Sequence, residues 1–266
     1  MKVLVTGGSG FIGRHLIQTL DAQGIEVYAL QYLEVQPIPG ATFWSLLDIE
    51  GVRQFDVVFH LAGVLGKRGI PLQAYMDAHV ELPRYLLSRM MQHQLFIYAS
   101  SAWVTYALDP YERTKIQGEK VVESSNVPHR IIRPGFVIGE GDMHHYPVYW
   151  LIRHLRGLTP LIGGGSNVVH PTYVKDVVSL LQQLMYSGNE VTTIVGPTMT
   201  MKDFMGCIAN HLQAAPPRIK LPHLPGTPKF LWREQPFTSD IPEQDQHTVD
   251  DMVKAAIAWY RSIHLL

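Results

Sequence analysis

Met1–Arg14 reads MKVLVTGGSGFIGR. Lys2 to Thr6 is a short apolar run rich in β-branched residues, which predicts a buried strand. Gly7, Gly10 and Gly13 follow in the spacing G-x-x-G-x-x-G. From Phe11 the pattern turns helical, with Phe11, Ile12, Leu16, Ile17 and Leu20 on a shared face. Strand, glycine turn and helix in this order are the context that a dinucleotide-binding fingerprint requires. Gly7 allows the tight turn, Gly10 lets main chain approach a pyrophosphate, and Gly13 lets helix and strand pack closely. The helix N-terminus then offers free N–H groups and a partial positive charge to the phosphates.

The 266 residues are 46% apolar and 17% charged, an ordinary globular profile that is ample for a core. A formal net charge of −1 gives no electrostatic case for nucleic acid or an anionic membrane. No apolar run reaches the length of a membrane span. The N-terminus already reads as the first strand, so no signal peptide is expected. Cys207 is the single cysteine, which excludes an intrachain disulfide and fits a reducing cytoplasm.

Beyond the first helix, Gly24 closes the turn and Glu26 to Gln31 predicts a second strand. At the end of such a strand an acidic residue usually holds the adenosine ribose of NAD, whereas an arginine suits the extra phosphate of NADP. Gln31 stands there with neither charge. Glu34 can replace the acid, and Arg14 can meet a 2′-phosphate or stay solvated, so NAD and NADP are both open. Ala41 to Leu46 predicts a weak third strand, followed by Asp48-Ile49. Asp56 to Leu61 is a fourth, running into His60-Leu61-Ala62-Gly63, where small residues let backbone lie against a cofactor. Lys67 and Arg68 sit in the loop beyond and read as solvated, with contact to an anionic substrate as the other reading. Pro71 opens a long helix to about Gln92, which Pro83 should kink. Leu95 to Ala99 is a fifth strand that delivers Ser100 and Ser101 at its carboxyl end. Tyr111 to Ser125 is another helix and His129 to Arg133 a sixth strand. Strands alternating with helices predict an α/β fold, a Rossmann-like doubly wound parallel sheet.

From Pro134 onward glycine and proline become frequent. Short helices near Val148–Arg156 and Tyr173–Tyr186, a proline-rich irregular stretch from Pro216 to Pro242, and an amphipathic helix at Val249–His264 read as a small C-terminal substrate-binding lobe. The expected division is residues 1–134, with parts of 165–195, for dinucleotide binding, and most of 135–266 for the lobe.

Tyr111 and Lys115 occupy one helix face four residues apart. A phenol with a reference pKa of about 10 is a poor proton carrier at neutral pH, and bringing it near 7 requires ~4 kcal/mol in favour of phenolate. One ammonium at about 4 Å contributes ~4 kcal/mol at an effective dielectric of about 20. Lys115 is therefore large enough to matter, and a Ser101 hydroxyl can orient a substrate oxygen while Tyr111 moves its proton. The thirteen histidines are dispersed, with no H-E-x-x-H and no Cys/His cluster, and His144-His145 has no carboxylates at metal spacing, so no metal site is expected.

Several motifs together resemble the extended short-chain dehydrogenase/reductases, in the NAD-dependent epimerase/dehydratase branch. They are TGGSGFIG at Thr6, HLAG at His60, YASSA at Tyr98, YERTKIQGEK at Tyr111, RPGFVIGEGD at Arg133, HPTYVKDVV at His170 and AIAWYR near the end. The resemblance implies an NAD(P)-dependent epimerase, dehydratase or reductase acting on a nucleotide sugar or a related alcohol or ketone. Tyr111 would be the acid/base, Lys115 would bind the nicotinamide ribose and tune Tyr111, and Ser101 would complete the triad. Cofactor contacts would come from Gly7, Gly10, Phe11, Ile12, Gly13, Arg14, Gln31, Asp48, Ile49, Leu61, Ala62, Gly63, His79, Ser100 and Pro134. Phe136 would face the substrate, and Arg218 and Arg233 are the candidates for a diphosphate.

The chain departs from that family at four places. His79 stands where Asn is usual, and Gln31 replaces the usual acid. The Ser101–Tyr111 interval is short, which implies a shortened or more open pocket. Val168 and Val169 occupy a stretch where nucleotide-sugar enzymes commonly carry arginine. The competing reading is a non-catalytic NAD(P)-binding module that senses cofactor redox state. The resemblance also implies a homodimer through the helices at Pro71–Gln92 and Tyr111–Ser125.

Overall fold

The parallel strands expected from the sequence form one sheet. A computed structural model describes residues 1–31, 37–45, 49–65, 69–142, 161–217, 219–222 and 237–264. The chain divides into two units, Met1–Pro134 with Val177–Thr193, and Gly135–Asp176 with Ile194–Leu266. The first runs β1 (Lys2–Thr6), α1 (Phe11–Ala22), β2 (Glu26–Gln31), β3 (Thr42–Ser45), β4 (Val57–His60), α2 (Leu72–Met76), a π-helical turn (Asp77–Glu81), α3 (Leu82–Leu87), β5 (Leu95–Ala99), α4 (Pro110–Glu123) and β6 (His129–Pro134). The chain then passes through β7 (Phe136–Ile138), β8 (Leu161–Ile162), β9 (Val168–Val169), β10 (Pro171–Tyr173) and α5 (Val174–Gln183) to β11 (Val191–Ile194). It ends with β12 (Met199–Thr200), α6 (Met201–Leu212), β13 (Lys220–Leu221) and α7 (Val249–Ser262).

Among the described residues, seven strands make the main sheet, in the order β11-β6-β5-β4-β1-β2-β3. The order reverses between β1 and β4, and open α/β sheets bind ligands at such a reversal, beyond the strands' carboxyl ends. Parallel register puts Leu30, Thr6, His60 and Tyr98 in one row across four strands. The strand interiors are apolar and closed to solvent, as sheets covered on both faces require. On α1, Phe11, Gly13, Leu16, Ile17 and Leu20 form the buried stripe, the period expected of a helix with one face inward. On α4, Glu119 takes a two-pronged bond from Arg133 of β6, at 2.8 and 2.6 Å.

The helix expected from Pro71 to Gln92 is instead α2, a π turn and α3, and it stops at Leu87. Pro83 is the cause. Proline has no N–H and crowds the carbonyl of the preceding turn, so the backbone widens there into π geometry. The carbonyls left without helical donors are met from the sheet: His60 Nε2 lies 3.0 Å from the oxygen of Ala78, and the Tyr98 hydroxyl donates to that of His79 at 3.0 Å. Gly118 of α4 makes this approach possible, because a Cβ there would stand 2.2 Å from both the His79 oxygen and the Tyr98 hydroxyl.

In the second unit β7 pairs in parallel with β10, β8 in parallel with β13, and β9 antiparallel with β12. Phe136 packs edge-on against Phe204 of α6, and the Tyr260 hydroxyl of α7 donates to the carbonyl of Asp142. Helix α6 is an addition to the elements expected from the sequence, and Thr200 caps it by accepting from the Asp203 N–H. The helix expected at Val148–Arg156 and most of the proline-rich stretch lie outside the described residues.

Candidate active site

The glycine turn has the geometry that its spacing predicts. Gly7 has φ +72°, and a Cβ there would sit 2.6 Å from the backbone nitrogen of Ala62. A Cβ at Gly13 would stand 2.3 Å from the Gly7 oxygen. The Gly10 N–H closes the turn onto that oxygen at 2.9 Å. Thr200 and Thr248 cap α6 and α7 with their side chains, and Asp109 caps α4, but Gly10 gives α1 no side-chain cap. An uncapped, glycine-lined helix start leaves main-chain donors for an anion.

A cavity of about 1090 Å³ opens beside this turn. Thr6, Gly7 and Gly10 form one wall, Ala62 and Gly63 a second, and the helical run through Tyr85 a third. Leu61 also lines it. Two buried histidines hold the Leu61–Val64 wall in place. The Ala62 N–H donates to Thr6 Oγ1 at 3.2 Å, and Thr6 Oγ1 lies 2.9 Å from His60 Nδ1. A carbonyl only accepts, so the His60 bond to Ala78 puts its proton on Nε2, and Thr6 donates to Nδ1. His79 is the reverse. Its Nε2 accepts from the Val64 N–H at 3.1 Å, so the proton is on Nδ1, 2.8 Å from Thr114 Oγ1 of α4. Burial drives His60 down to about 3 and His79 to about 2, and the charge on Lys115 acts in the same direction, so both rings are neutral.

Helix α4 delivers Tyr111 and Lys115. The interval from Ser101 to Tyr111 is a 3-10 turn at Ala102–Thr105 and a left-handed Ala107 (φ +52°), followed by α4. Asp109 caps α4 by accepting from the Glu112 N–H at 2.9 Å, and Glu112 reaches back to the Leu108 N–H at 2.6 Å. Pro110 suits the first helical position. Tyr111 is half-buried and its ring meets His79 edge-on at 5.5 Å, while Ser101 accepts from the Trp103 N–H at 3.3 Å and lies close enough to Tyr111 to pull its phenol down. Lys115 is buried, donates to the Ala99 carbonyl at 2.7 Å, and lies over the Tyr98 ring at 5.0 Å. Gly63 brings the cavity wall to this group. A Cβ on it would stand 3.3 Å from His79 Nε2 and 3.4 Å from Lys115 Nζ.

The electrostatics differ from the expected tuning of a phenol by an ammonium. Burial pushes the Tyr111 phenol up, against a smaller downward pull from Ser101. Burial pushes Lys115 down to about 7, with Glu119 opposing. In the protein alone, desolvation is the largest influence at both groups.

The remaining candidates separate. Phe11 is part of the buried α1 stripe and Ile12 is half-buried beside it; Arg14 is exposed and does not line the cavity. Pro134 is buried at the end of β6, and Phe136 belongs to the core of the second unit. Ser100 Oγ is buried with no hydrogen-bond partner among the described residues, an unmet polar atom at the end of β5. Asp48, Arg218, Arg233, Glu34, Lys67, Arg68 and His144-His145 lie outside the described residues, as do the side chains of Gln31 and Ile49. Thr6, Tyr98 and Thr114 join the site beyond the residues that the sequence singles out, and their signal is a polar atom at a strand end or on an inward helix face. Tyr85 joins it too, a residue spaced to share a helix face with Glu81.

The glycine cradle, the uncapped helix and the unmet Ser100 hydroxyl fit a dinucleotide. Comparison with known proteins agrees. A family profile described as "NAD dependent epimerase/dehydratase family" matches residues 3–195. The human "Epimerase family protein SDR39U1" is 43% identical over 209 residues, covering 68% of this chain and 69% of that protein. The Bacillus subtilis "Uncharacterized UDP-glucose epimerase YtcB" is 28% identical over 225 residues, covering 67% and 70%. Three further curated relatives are matched over only 53 to 62% of their length. A crystal structure of UDP-glucuronic acid 4-epimerase from Bacillus cereus in complex with NAD superposes with a TM-score of 0.77 at 21% identity, covering 99% of this chain and all of that one.

Proposed function

Because the chain belongs to the NAD dependent epimerase/dehydratase family, we propose that it is a nicotinamide-dependent enzyme working through Ser101, Tyr111 and Lys115. Its substrate is a nucleotide sugar or a related alcohol or ketone. The observation that carries the reading is the placement of Tyr111 and Lys115 one turn apart on α4, with Lys115 reaching the cavity wall at Gly63. Gly7, Gly10, Gly13, Leu61, Ala62 and Gly63 hold the dinucleotide, with Ser100 as a further donor. A bound nicotinamide supplies hydride uptake and return. Ser101 orients the substrate oxygen, and Tyr111 exchanges a proton with that oxygen as the carbon changes oxidation state. Lys115, at the cavity wall by Gly63, would bind the nicotinamide ribose. His79, with both ring nitrogens engaged, positions Val64 and Thr114 in this reading and does not exchange protons.

A second reading, a cofactor-binding redox sensor without turnover, draws on the upward shift of Tyr111 and the downward shift of Lys115, both unfavourable to proton transfer in the unloaded chain. The experiment is titration with NADH and NADPH, followed by turnover on panels of nucleotide sugars, ketones and alcohols. Turnover that Tyr111→Phe lowers by about a hundredfold or more, with cofactor affinity kept, supports the enzyme. Binding with no turnover on any panel supports the sensor, and failure to bind either dinucleotide overturns both. The ratio of the two affinities decides between NAD and NADP. Homodimerisation through α2–α4 and a cytoplasmic location belong to the same reading, and a monomeric mass by light scattering would overturn the first. No helix among the described residues is long and apolar enough to cross a membrane.

A further inference from the structure

Away from the cavity, two helices of the second unit bring three metal-binding side chains together. Cys207 and His211 are four residues apart on α6 and so share a face. Asp250, in the first turn of α7, meets them there. His211 Nε2 is 2.7 Å from Asp250 Oδ1, Cys207 Sγ is 4.0 Å from the same oxygen, and the three donor atoms lie within 4.8 Å of one another. We infer that Cys207, His211 and Asp250 form a site for a zinc-type divalent cation that pins α6 to α7.

The distances and the donor types both support this. Four ligands at 2.0–2.3 Å around a tetrahedral ion stand about 3.3–3.8 Å from one another. The separations of 2.7 and 4.0 Å bracket that range and the third is at most 4.8 Å, so the side chains close on an ion with movements of up to about an ångström. A thiolate, an imidazole and a carboxylate suit zinc, whereas magnesium and calcium take oxygen donors. Cys207 and His211 are half-buried and Asp250 is exposed, which leaves one side for water as the fourth ligand. Arg261 fixes the end of α6 by donating to the His211 carbonyl at 3.2 Å. Binding exchanges the thiol proton of Cys207 for a metal–sulfur bond and releases that proton to solvent. The His211 N–H moves to Nδ1 as Nε2 takes the metal. No local spacing rule finds this set, because Asp250 follows His211 by 39 residues.

The alternative is a surface His–Asp pair with a cysteine nearby. Only the metal site requires Cys207. The test is titration of the full chain with Co²⁺ as the optical substitute, under a phosphine reductant. The expected result is one equivalent bound with thiolate-to-cobalt charge-transfer absorption and the strong visible bands of a four-coordinate ion, all displaced by zinc. Cys207→Ser should abolish the charge transfer and weaken zinc binding by about a hundredfold, and Asp250→Asn should weaken it by about tenfold. Zinc should raise the unfolding temperature of the parent protein and leave that of Cys207→Ser unchanged. A pale six-coordinate spectrum, or zinc affinity unchanged in a folded Cys207→Ser, would mean an adventitious ion on other histidines and would overturn the site.

Discussion

The Tyr98 hydroxyl, on the central strand β5, donates to the backbone carbonyl of His79 at 3.0 Å, in the turn that Pro83 has widened. The side chain repairs what the proline removed. Tyr98→Phe should therefore destabilise the fold by about 1–3 kcal/mol, the penalty of a buried acceptor left without its donor. Urea unfolding should show a lower midpoint at unchanged slope. A midpoint equal to that of the parent would mean that the carbonyl has another donor.

Glycines of this chain should respond in opposite ways to the same substitution. Gly13→Ala places a Cβ 2.3 Å from the Gly7 oxygen and 2.8 Å from the Gly8 Cα, both backbone atoms. Dinucleotide affinity should fall at least tenfold, roughly, and stability should fall with it, although alanine is the better helix former by about 1 kcal/mol. Gly206, in the middle of α6, has nothing within 4 Å of the point where a Cβ would stand. Gly206→Ala should raise stability by about 1 kcal/mol and leave dinucleotide affinity alone. Calorimetric titration and thermal unfolding of the two variants side by side decide the matter.

Acid should unfold the first unit through its histidines before its carboxylates. His60 and His79 are neutral when folded, at about 3 and about 2, and take up protons near 6.5 when unfolded. Their depressed folded values mean that stability is fully present above pH 6.5 and is lost as pH falls toward 3. Each ring contributes a slope of up to about 1.4 kcal/mol per pH unit in that window. Unfolding free energy measured in urea from pH 7 to 5 should fall accordingly, and His60→Asn should remove about one proton from the slope. A flat profile between pH 7 and 5 would count against both assignments.

Lys115 trades stability for chemistry in the proposed function. Burial holds its amine at about 7, far below its unfolded value, so stability should rise with pH from 7 toward 10 as the unfolded chain alone keeps the proton. Glu119 keeps its partner Arg133 when Lys115 is replaced, so an apolar chain of similar volume removes the desolvation cost of the amine without leaving that carboxylate unpaired. Lys115→Met should thus raise the melting temperature at pH 7 while abolishing turnover. A lower melting temperature would show that the bond to Ala99 outweighs desolvation.

Local features are legible in the sequence, and features made by strand register are not. The glycine turn and α1 depend on residues within a few positions of one another, and each has the expected form. The parallel sheet follows from the alternation of strand and helix. The histidine network is hidden, because Thr6 and His60 are 54 residues apart and meet only through the pairing of β1 with β4. The kink at Pro83 is visible, but its π form depends on donors from β4 and β5. The Tyr111 phenol shifts opposite to the direction its neighbour Lys115 implies. Sequence spacing reveals Lys115, and it does not reveal the desolvation of the phenol, to which the charges of Asp109 and Glu112 add.

The two imidazoles carry their protons on opposite ring nitrogens, and that asymmetry makes the cleft self-reporting. Nitrogen-15 spectra of histidine-labelled protein should contain one ring of each tautomer, both frozen across the range where solvent-exposed imidazoles titrate. Because Val64 is bound to one ring and Ala62 is linked through Thr6 to the other, an occupant pressing on that stretch would perturb the two signals together. The molecule would announce a ligand without any dye or turnover.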